Sequence, residues 1–206
     1  MRYEQMPGPS VPRRGNRFFQ WLGTEFLRLL GWRITGQFPD VPKAVIIGAP
    51  HTSNWDGVLA VAAVLALRLR IVLMGKHSLF KGPFAPLLRW LGLIPIDRSS
   101  AAGVVEQSVS RFREREQMFL GMAPEGTRHS AEEWKTGFYR IACDAGVPIV
   151  LAVLDYGKRE IRLALTFMPT GDLDADMERI LACYRGIVPR RPERLSLPLR
   201  GPDVTG

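Results

Sequence analysis

Cysteine is scarce in this chain. Its two residues, Cys143 and Cys183, stand far apart among apolar neighbours with no metal-like spacing. A disulfide framework and a cysteine-built metal site are both excluded, and the pair reads as buried free thiols suited to a reducing compartment. Long hydrophobic runs are missing too. No window reaches about 18 uninterrupted apolar residues, so no membrane-spanning helix is expected. The stretch from Met1 to Asn16 is polar and rich in Pro, Gly and Arg, unlike a signal peptide, and a cytoplasmic location is the expectation. No Gly-x-Ser-x-Gly elbow is present, which removes the usual serine-hydrolase nucleophile. No nucleic-acid-binding motif, internal repeat or long low-complexity segment occurs.

What is present is an ordinary globular balance, 46% hydrophobic and 23% charged over 206 residues, enough for one domain with a real core. Net charge is +8 and the pI is near 10.1. A protein this basic is drawn to something anionic: nucleic acid, an anionic membrane surface or a phosphorylated substrate. With its arginines spread over both tails and the strand ends, nucleic acid is the weakest of the three.

Along the chain, residues 1–15 carry Pro7, Pro9, Pro12, Arg13 and Arg14 and read as a flexible basic arm. Residues 16–36 read as an amphipathic helix. Phe18, Phe19, Trp21, Leu22, Phe26, Leu27, Leu29, Leu30 and Trp32 give it more apolar mass than a solvated helix needs, and Arg17, Arg28 and Arg33 supply positive charge. Such a helix suits a membrane interface, and equally the outside of a core; Gly23 and Gly31 weaken it slightly. Residues 37–187 then alternate. Strands are expected at 43–49, 70–75, 93–96, 117–122, 148–155 and 160–167, and helices at 55–68, 83–91, 104–116, 132–145 and 173–186. In the last but one, Trp134, Phe138, Ile141 and Ala145 recur at helical spacing, with Gly146 and Pro148 as the stop. This alternation predicts an α/β fold, a mainly parallel (mixed) sheet flanked by helices and preceded by the amphipathic one. Residues 188–206, with four prolines and four arginines, read as a loosely ordered basic tail.

Functional residues collect at strand-to-helix turns in such folds. One of these turns holds His51-Thr52-Ser53-Asn54-Trp55-Asp56. A neutral imidazole beside an orienting carboxylate can take a proton from a hydroxyl near neutral pH. On a continuous helix, residues five apart point about 140° away from each other. His51 and Asp56 therefore meet only if His51 stands in the turn and Asp56 on the helix that follows. Thr52, Ser53 or Asn54 would cap that helix. The plainer alternative makes Asp56 a first-turn acid that answers the helix dipole.

Three further clusters fall at strand ends: Gly75-Lys76-His77-Ser78, Ile94-Pro95-Ile96-Asp97-Arg98, and Pro124-Glu125-Gly126-Thr127-Arg128. Arginine makes paired hydrogen bonds to phosphate oxygens and glycine lets an anion approach the backbone, so two arginines and a lysine could surround one phosphate. Each cluster alone could equally be a turn or a local ion pair. Together the His51-x4-Asp56, Ile94 to Arg98, Pro124 to Arg128 and Val147-Pro148-Ile149-Val150 segments stand in the order of the four motifs of the glycerolipid acyltransferases. The chain resembles the 1-acylglycerol-3-phosphate acyltransferase (PlsC-like) family from about residue 43 to 156. Trp134-Lys135-Thr136-Gly137-Phe138 also resembles the segment after the third motif. Pro50 stands where an Asn is common in the family, Ala123 where an aromatic is common, and Leu151 where a second Pro is frequent.

The resemblance implies an O-acyltransferase that moves a fatty acyl chain from acyl-CoA or acyl carrier protein to a lysophospholipid hydroxyl. The acceptor implied is 1-acylglycerol-3-phosphate, with another lysolipid or glycerol-3-phosphate as alternatives; a non-catalytic lipid-binding protein is the other class of reading. By the same resemblance His51 is the general base and Asp56 orients it. Arg98, Gly126, Thr127 and Arg128 bind the acceptor phosphate, Glu125 contacts acceptor hydroxyls or holds the arginines, and Lys76 is an additional phosphate contact. No cofactor or metal is implied. The expected partners are the lipid acceptor, the thioester donor and an anionic membrane surface, with the protein peripheral on its cytoplasmic face.

Overall fold

The computed structural model describes residues 7–76, 82, 85–86, 92–96 and 101–200. Its elements run α1 (Arg17–Leu29), β1 (Arg33–Gly36), β2 (Lys43–Ala49), α2 (Asn54–Ala66), β3 (Ile71–Lys76), β4 (Leu93–Ile96), α3 (Ala101–Glu114), β5 (Met118–Met122), α4 (Gly137–Ala145), β6 (Ile149–Asp155), β7 (Glu160–Phe167) and α5 (Leu173–Tyr184), followed by two short 3-10 turns. The strands form one seven-stranded sheet in the order β1-β7-β6-β2-β5-β3-β4. From β6 to β4 every pairing is parallel; β7 runs antiparallel to β6 and β1 parallel to β7. The expected mainly parallel, mixed α/β sheet is what forms.

β2 lies at its centre and shows why. A strand covered on both faces must be apolar throughout, and Ala44, Val45, Ile46, Ile47 and Ala49 are all buried. Val45, Ile47 and Ala49 point into a core shared with Phe112 of α3, Phe138 and Ile141 of α4 and Ile180 and Tyr184 of α5. Ala44 and Ile46 point the other way, toward Leu67, Leu69, Phe119 and Val150. On that second side α1 packs on α2, bringing Leu27 and Trp32 against Leu59, Ala62 and Ala66. The protein is thus three layers, helix, sheet and helix.

Several expectations need correction. The N-terminal helix stops at Leu29 instead of running on to 36, and a strand follows it. Gly31 adopts φ +71°, its N–H bonds the Arg28 carbonyl, and the Trp32 N–H reaches back to Leu27. This closure ends a helix because only glycine adopts that backbone cheaply. The arm at 7–15 is packed, with Val11 buried, Arg13 bridging Leu69 and the Arg70 N–H on the Pro12 carbonyl. The tail is packed as well over 188–200, where Ser196 and Leu199 are buried. Apolar and hydrogen-bonding positions between the prolines anchor both segments, which composition alone conceals. α4 begins at Gly137, not 132, because Trp134 is drawn into the core as part of a loop. Cys143 is exposed and Cys183 partly so; both are free. Of the helix expected at 83–91, only 85–86 lie among the described residues.

Candidate active site

β6, β2 and β5 are neighbours in the sheet and run in the same direction. The residues just past their C-terminal ends are Tyr156, His51 and Glu125, and these converge at one edge. Open α/β sheets build their sites at this edge.

His51 stands in the turn after β2 and Asp56 in the first turn of α2, the division that helix geometry required. Ser53 is the N-cap, with its hydroxyl accepting the Trp55 N–H, and Asp56 closes a capping box from N3. His51 Nδ1 lies 3.5 Å from Asp56 Oδ2. The same Oδ2 accepts the main-chain N–H groups of Thr52 and Ser53, each at 2.7 Å. Oδ1 accepts the Tyr156 hydroxyl at 2.6 Å and the Ser53 hydroxyl at 3.1 Å. The Asp56 side chain is 2% exposed and that of His51 24%, so the carboxylate sits behind an imidazole that reaches solvent. Burial pushes the Asp56 carboxyl upward, but the hydrogen bonds from His51, Tyr156, Ser53 and Thr52 outweigh it and hold the group below the usual carboxylate range. Capping the helix and facing the imidazole are therefore two uses of one carboxylate.

Glu125 is buried. Its Oε2 accepts the His51 main-chain N–H at 2.6 Å, and its Oε1 accepts the Ser196 hydroxyl at 3.3 Å. Burial raises its carboxyl above the ordinary value; the bond from His51 and the Ser196 hydroxyl offset part of that, while Asp56 adds to it. Among the described residues no arginine pairs with Glu125, whose hold falls on the His51 loop instead. Gly126 follows at φ +65°, and a Cβ there would meet the Lys135 side chain at 3.0 Å. Thr127 Oγ1 accepts the His129 N–H, and Arg128 is exposed beside them. Lys76 is the last residue of β3, next to β5. Arg98 lies outside the described residues.

Sequence reasoning passed over Tyr156, Ser196 and the arginines of the tail. The Arg190 guanidinium lies 5.5 Å from the Trp55 ring centroid and 5.8 Å from that of Tyr156, and Trp32 meets Tyr156 edge-on at 4.8 Å. The Arg191 N–H bonds Thr52 Oγ1 at 3.2 Å. For Tyr156 a signal existed, a polar aromatic just past a buried strand; for Ser196 none did. No cluster of His, Cys, Asp and Glu fit to hold a metal occurs among the described residues. The arrangement can hold an imidazole with its proton on Nδ1 and leave Nε2 to accept one from a substrate.

Comparison with known proteins covers the segment that holds His51, Asp56 and Glu125. A family model described as Acyltransferase matches residues 33–154. The 1-acyl-sn-glycerol-3-phosphate acyltransferase of Haemophilus influenzae is 31% identical over 155 residues, 70% of this chain and 62% of that protein. The enzyme of the same name from Escherichia coli is 35% identical over 122 residues, 56% of this chain and 48% of the relative. The chain thus spans roughly half to three-fifths of the length of these curated relatives. The crystal structure of the 1-acyl-sn-glycerophosphate acyltransferase PlsC from Thermotoga maritima superposes with a TM-score of 0.56 at 16% identity, covering 79% of this chain and 73% of that one. That likeness shows a shared fold.

Proposed function

The chain belongs to the Acyltransferase family, and from that premise we propose that it moves a fatty acyl chain from a thioester to a hydroxyl of a lysophospholipid. The acceptor proposed is 1-acylglycerol-3-phosphate, giving phosphatidic acid, and the donor acyl-CoA or acyl carrier protein. The names of the relatives support the acceptor. The observation that carries the chemistry is the His51–Asp56 pair, 3.5 Å apart with the carboxylate buried and fully engaged.

Asp56 holds the proton of His51 on Nδ1. Nε2 then takes the proton of the acceptor hydroxyl as its oxygen attacks the thioester carbonyl. When the tetrahedral centre collapses, the carbon–sulfur bond breaks and the imidazolium returns the proton to the departing thiolate, so an ester and a free thiol leave. Arg128, Gly126 and Thr127, with Lys76 at the end of β3 and Arg98, which lies outside the described residues, are assigned the acceptor phosphate, and Lys135 beside Gly126 adds a cation to that loop. No metal or cofactor enters the reaction.

α1 supplies the route to lipid. Gly23 and Leu27 are buried against α2, while Phe18, Trp21 and Leu29 on the other side are 60%, 57% and 79% exposed. Among the described residues no helix is long and apolar enough to cross a membrane. We assign this face to the membrane interface, on the cytoplasmic side, with Arg17 and Arg28 near the headgroups.

Purified protein assayed with lysophosphatidic acid, other lysophospholipids and glycerol-3-phosphate, each with acyl-CoA and acyl carrier protein donors, tests the reading. Transfer is expected with lysophosphatidic acid, and His51→Ala should lower it at least about a hundredfold while the protein stays folded. Full activity in that variant would overturn the general-base mechanism.

A further inference from the structure

The segment after α5 grips the site at three points. The Tyr156 N–H bonds the Val188 carbonyl at 2.9 Å, and Tyr156 in turn holds Asp56. The Arg191 N–H bonds Thr52 Oγ1 at 3.2 Å, next to His51. Ser196, fully buried, donates its hydroxyl to Glu125 Oε1 at 3.3 Å and accepts the Trp134 indole N–H at 2.9 Å. Glu125 passes this on, because its other oxygen takes the His51 N–H. All three tail residues lie beyond the segment 33–154 that the family model matches.

We infer that residues 188–200 form a strap that completes the catalytic site, with Ser196 as a positioning residue that fixes Glu125 and, through it, the main chain of His51. Three physical points support this. A carboxylate with only one oxygen held can pivot about its Cγ–Cδ bond, whereas Ser196 and the His51 N–H together fix both oxygens. The hydroxyl is oriented in turn, since the indole N–H can only donate and takes the serine lone pair, leaving the serine proton for Glu125. The Trp134–Ser196–Glu125 part of the linkage is buried, where such bonds are strong and unmade ones costly. The catalytic consequence rests on the acyl-transfer reading above; the positioning itself does not.

The test compares Ser196→Ala and Ser196→Cys, a near-isosteric change to a weak donor, with Leu199→Ala. Leu199 is a buried tail residue with no part in the Glu125 linkage, so its loss loosens the strap's packing alone. The His51 amide proton reads the linkage without turnover. Both Ser196 variants should shift its resonance upfield and speed its hydrogen exchange, while Leu199→Ala leaves it in place. In the acyl-transfer assay both should lower kcat about tenfold to a hundredfold with donor and acceptor KM within twofold. The acid limb of the kcat profile should also move to higher pH. The Ser196 hydroxyl favours ionised Glu125, which otherwise faces His51, Asp56 and the Tyr184 hydroxyl. An unmoved His51 amide in the Ser196 variants overturns the inference. So does a kcat unchanged from an active wild type, or an equal loss in Leu199→Ala. A wild type without transfer activity would defeat the proposed function, while the amide measurement would still decide the positioning.

Discussion

Donors converge on the Asp56 carboxylate from its own turn, from the His51 ring and from Tyr156 across the sheet. An aspartate held this way resists protonation, and the sign of its pH effect follows. Its folded-state pKa lies below the ordinary value, so it contributes stability above pH ~4 that is lost as pH falls through the lower folded value. Asp56→Asn should therefore flatten the acid side of the stability curve and lower Tm at pH 7, whereas His51→Ala, which removes one donor and leaves Tyr156, Ser53 and Thr52, should flatten it only in part. Urea titrations at pH 3 to 7 check this, and equal acid slopes in wild type and Asp56→Asn would refute it. Tyr156→Phe removes a donor that favours the charged form. Its kcat is expected to drop about tenfold, and the acid limb of its rate profile should rise in pH; an unshifted limb would leave Tyr156 a packing residue. Arg128→Ala should raise the acceptor KM about tenfold and leave the donor KM within twofold, since only the acceptor phosphate is assigned to it. At this scale the sequence was informative where partners are near in the chain: His51 and Asp56 were placed by the turn of a helix. Tyr156 binds Asp56 from 100 residues away and Ser196 binds Glu125 from 71 away, and no local pattern marks such pairs.

The packed face of α1 meets the core reading, and its exposed apolar face is the one proposed for a membrane. Its heavy apolar content suited either a membrane surface or a core, and the faces divide the work, with Gly23 and Leu27 inward and Phe18 and Trp21 outward. Gly23, which a propensity scale counts against the helix, is where α1 and α2 touch. A Cβ there would lie 2.6 Å from the Ala62 carbonyl oxygen and 2.7 Å from the Ala66 nitrogen. Gly23→Ala should thus destabilise despite alanine's better propensity, by about 1–3 kcal/mol, seen as a Tm lower by several degrees. A rise in Tm would mean that the helices separate at no cost. The strand β1 escaped notice because its four residues follow directly on the helix, and the stop signal was a single glycine. Gly31 at φ +71° ends α1 by backbone geometry, and that conformation is invisible in a pattern of apolar residues. Truncating the N-terminus would strip Leu27 and Trp32 from the core, so the outward face is better tested by point changes. Phe18→Glu with Trp21→Glu should reduce sedimentation with vesicles while Tm stays put; undiminished binding would place the membrane contact elsewhere.

Across the whole molecule, alternation of apolar runs and helical stripes made the layered α/β architecture legible, and the six expected strands all form. Their directions were only partly so. β7 and β1 reverse the sheet at one edge, and hydrophobic periodicity carries no information on polarity, because a strand buried on both faces reads alike either way. Composition misled most at the ends of the chain, where prolines and arginines suggested loose arms. Buried Val11, Ser196 and Leu199 tie down residues 7–15 and 188–200 and leave the arginines of these segments on a fixed surface. That changes what the net charge of +8 can do. Charges on a folded surface meet a membrane together, each cation near an anionic leaflet contributing about 1 kcal/mol, screened over about 10 Å at 0.1 M salt. Arg17 and Arg28, the latter paired with Glu25, lie on the helix that exposes Phe18 and Trp21, so at the proposed membrane face the electrostatic and apolar contributions would act at one contact. Binding to vesicles with phosphatidylglycerol should accordingly fall about tenfold or more between 0.05 and 0.5 M NaCl and be weak on neutral phosphatidylcholine. The double glutamate variant should lose affinity at both salt concentrations, with only the remaining binding sensitive to salt. Equal binding to neutral and anionic vesicles would show that the basic surface does not drive the membrane contact.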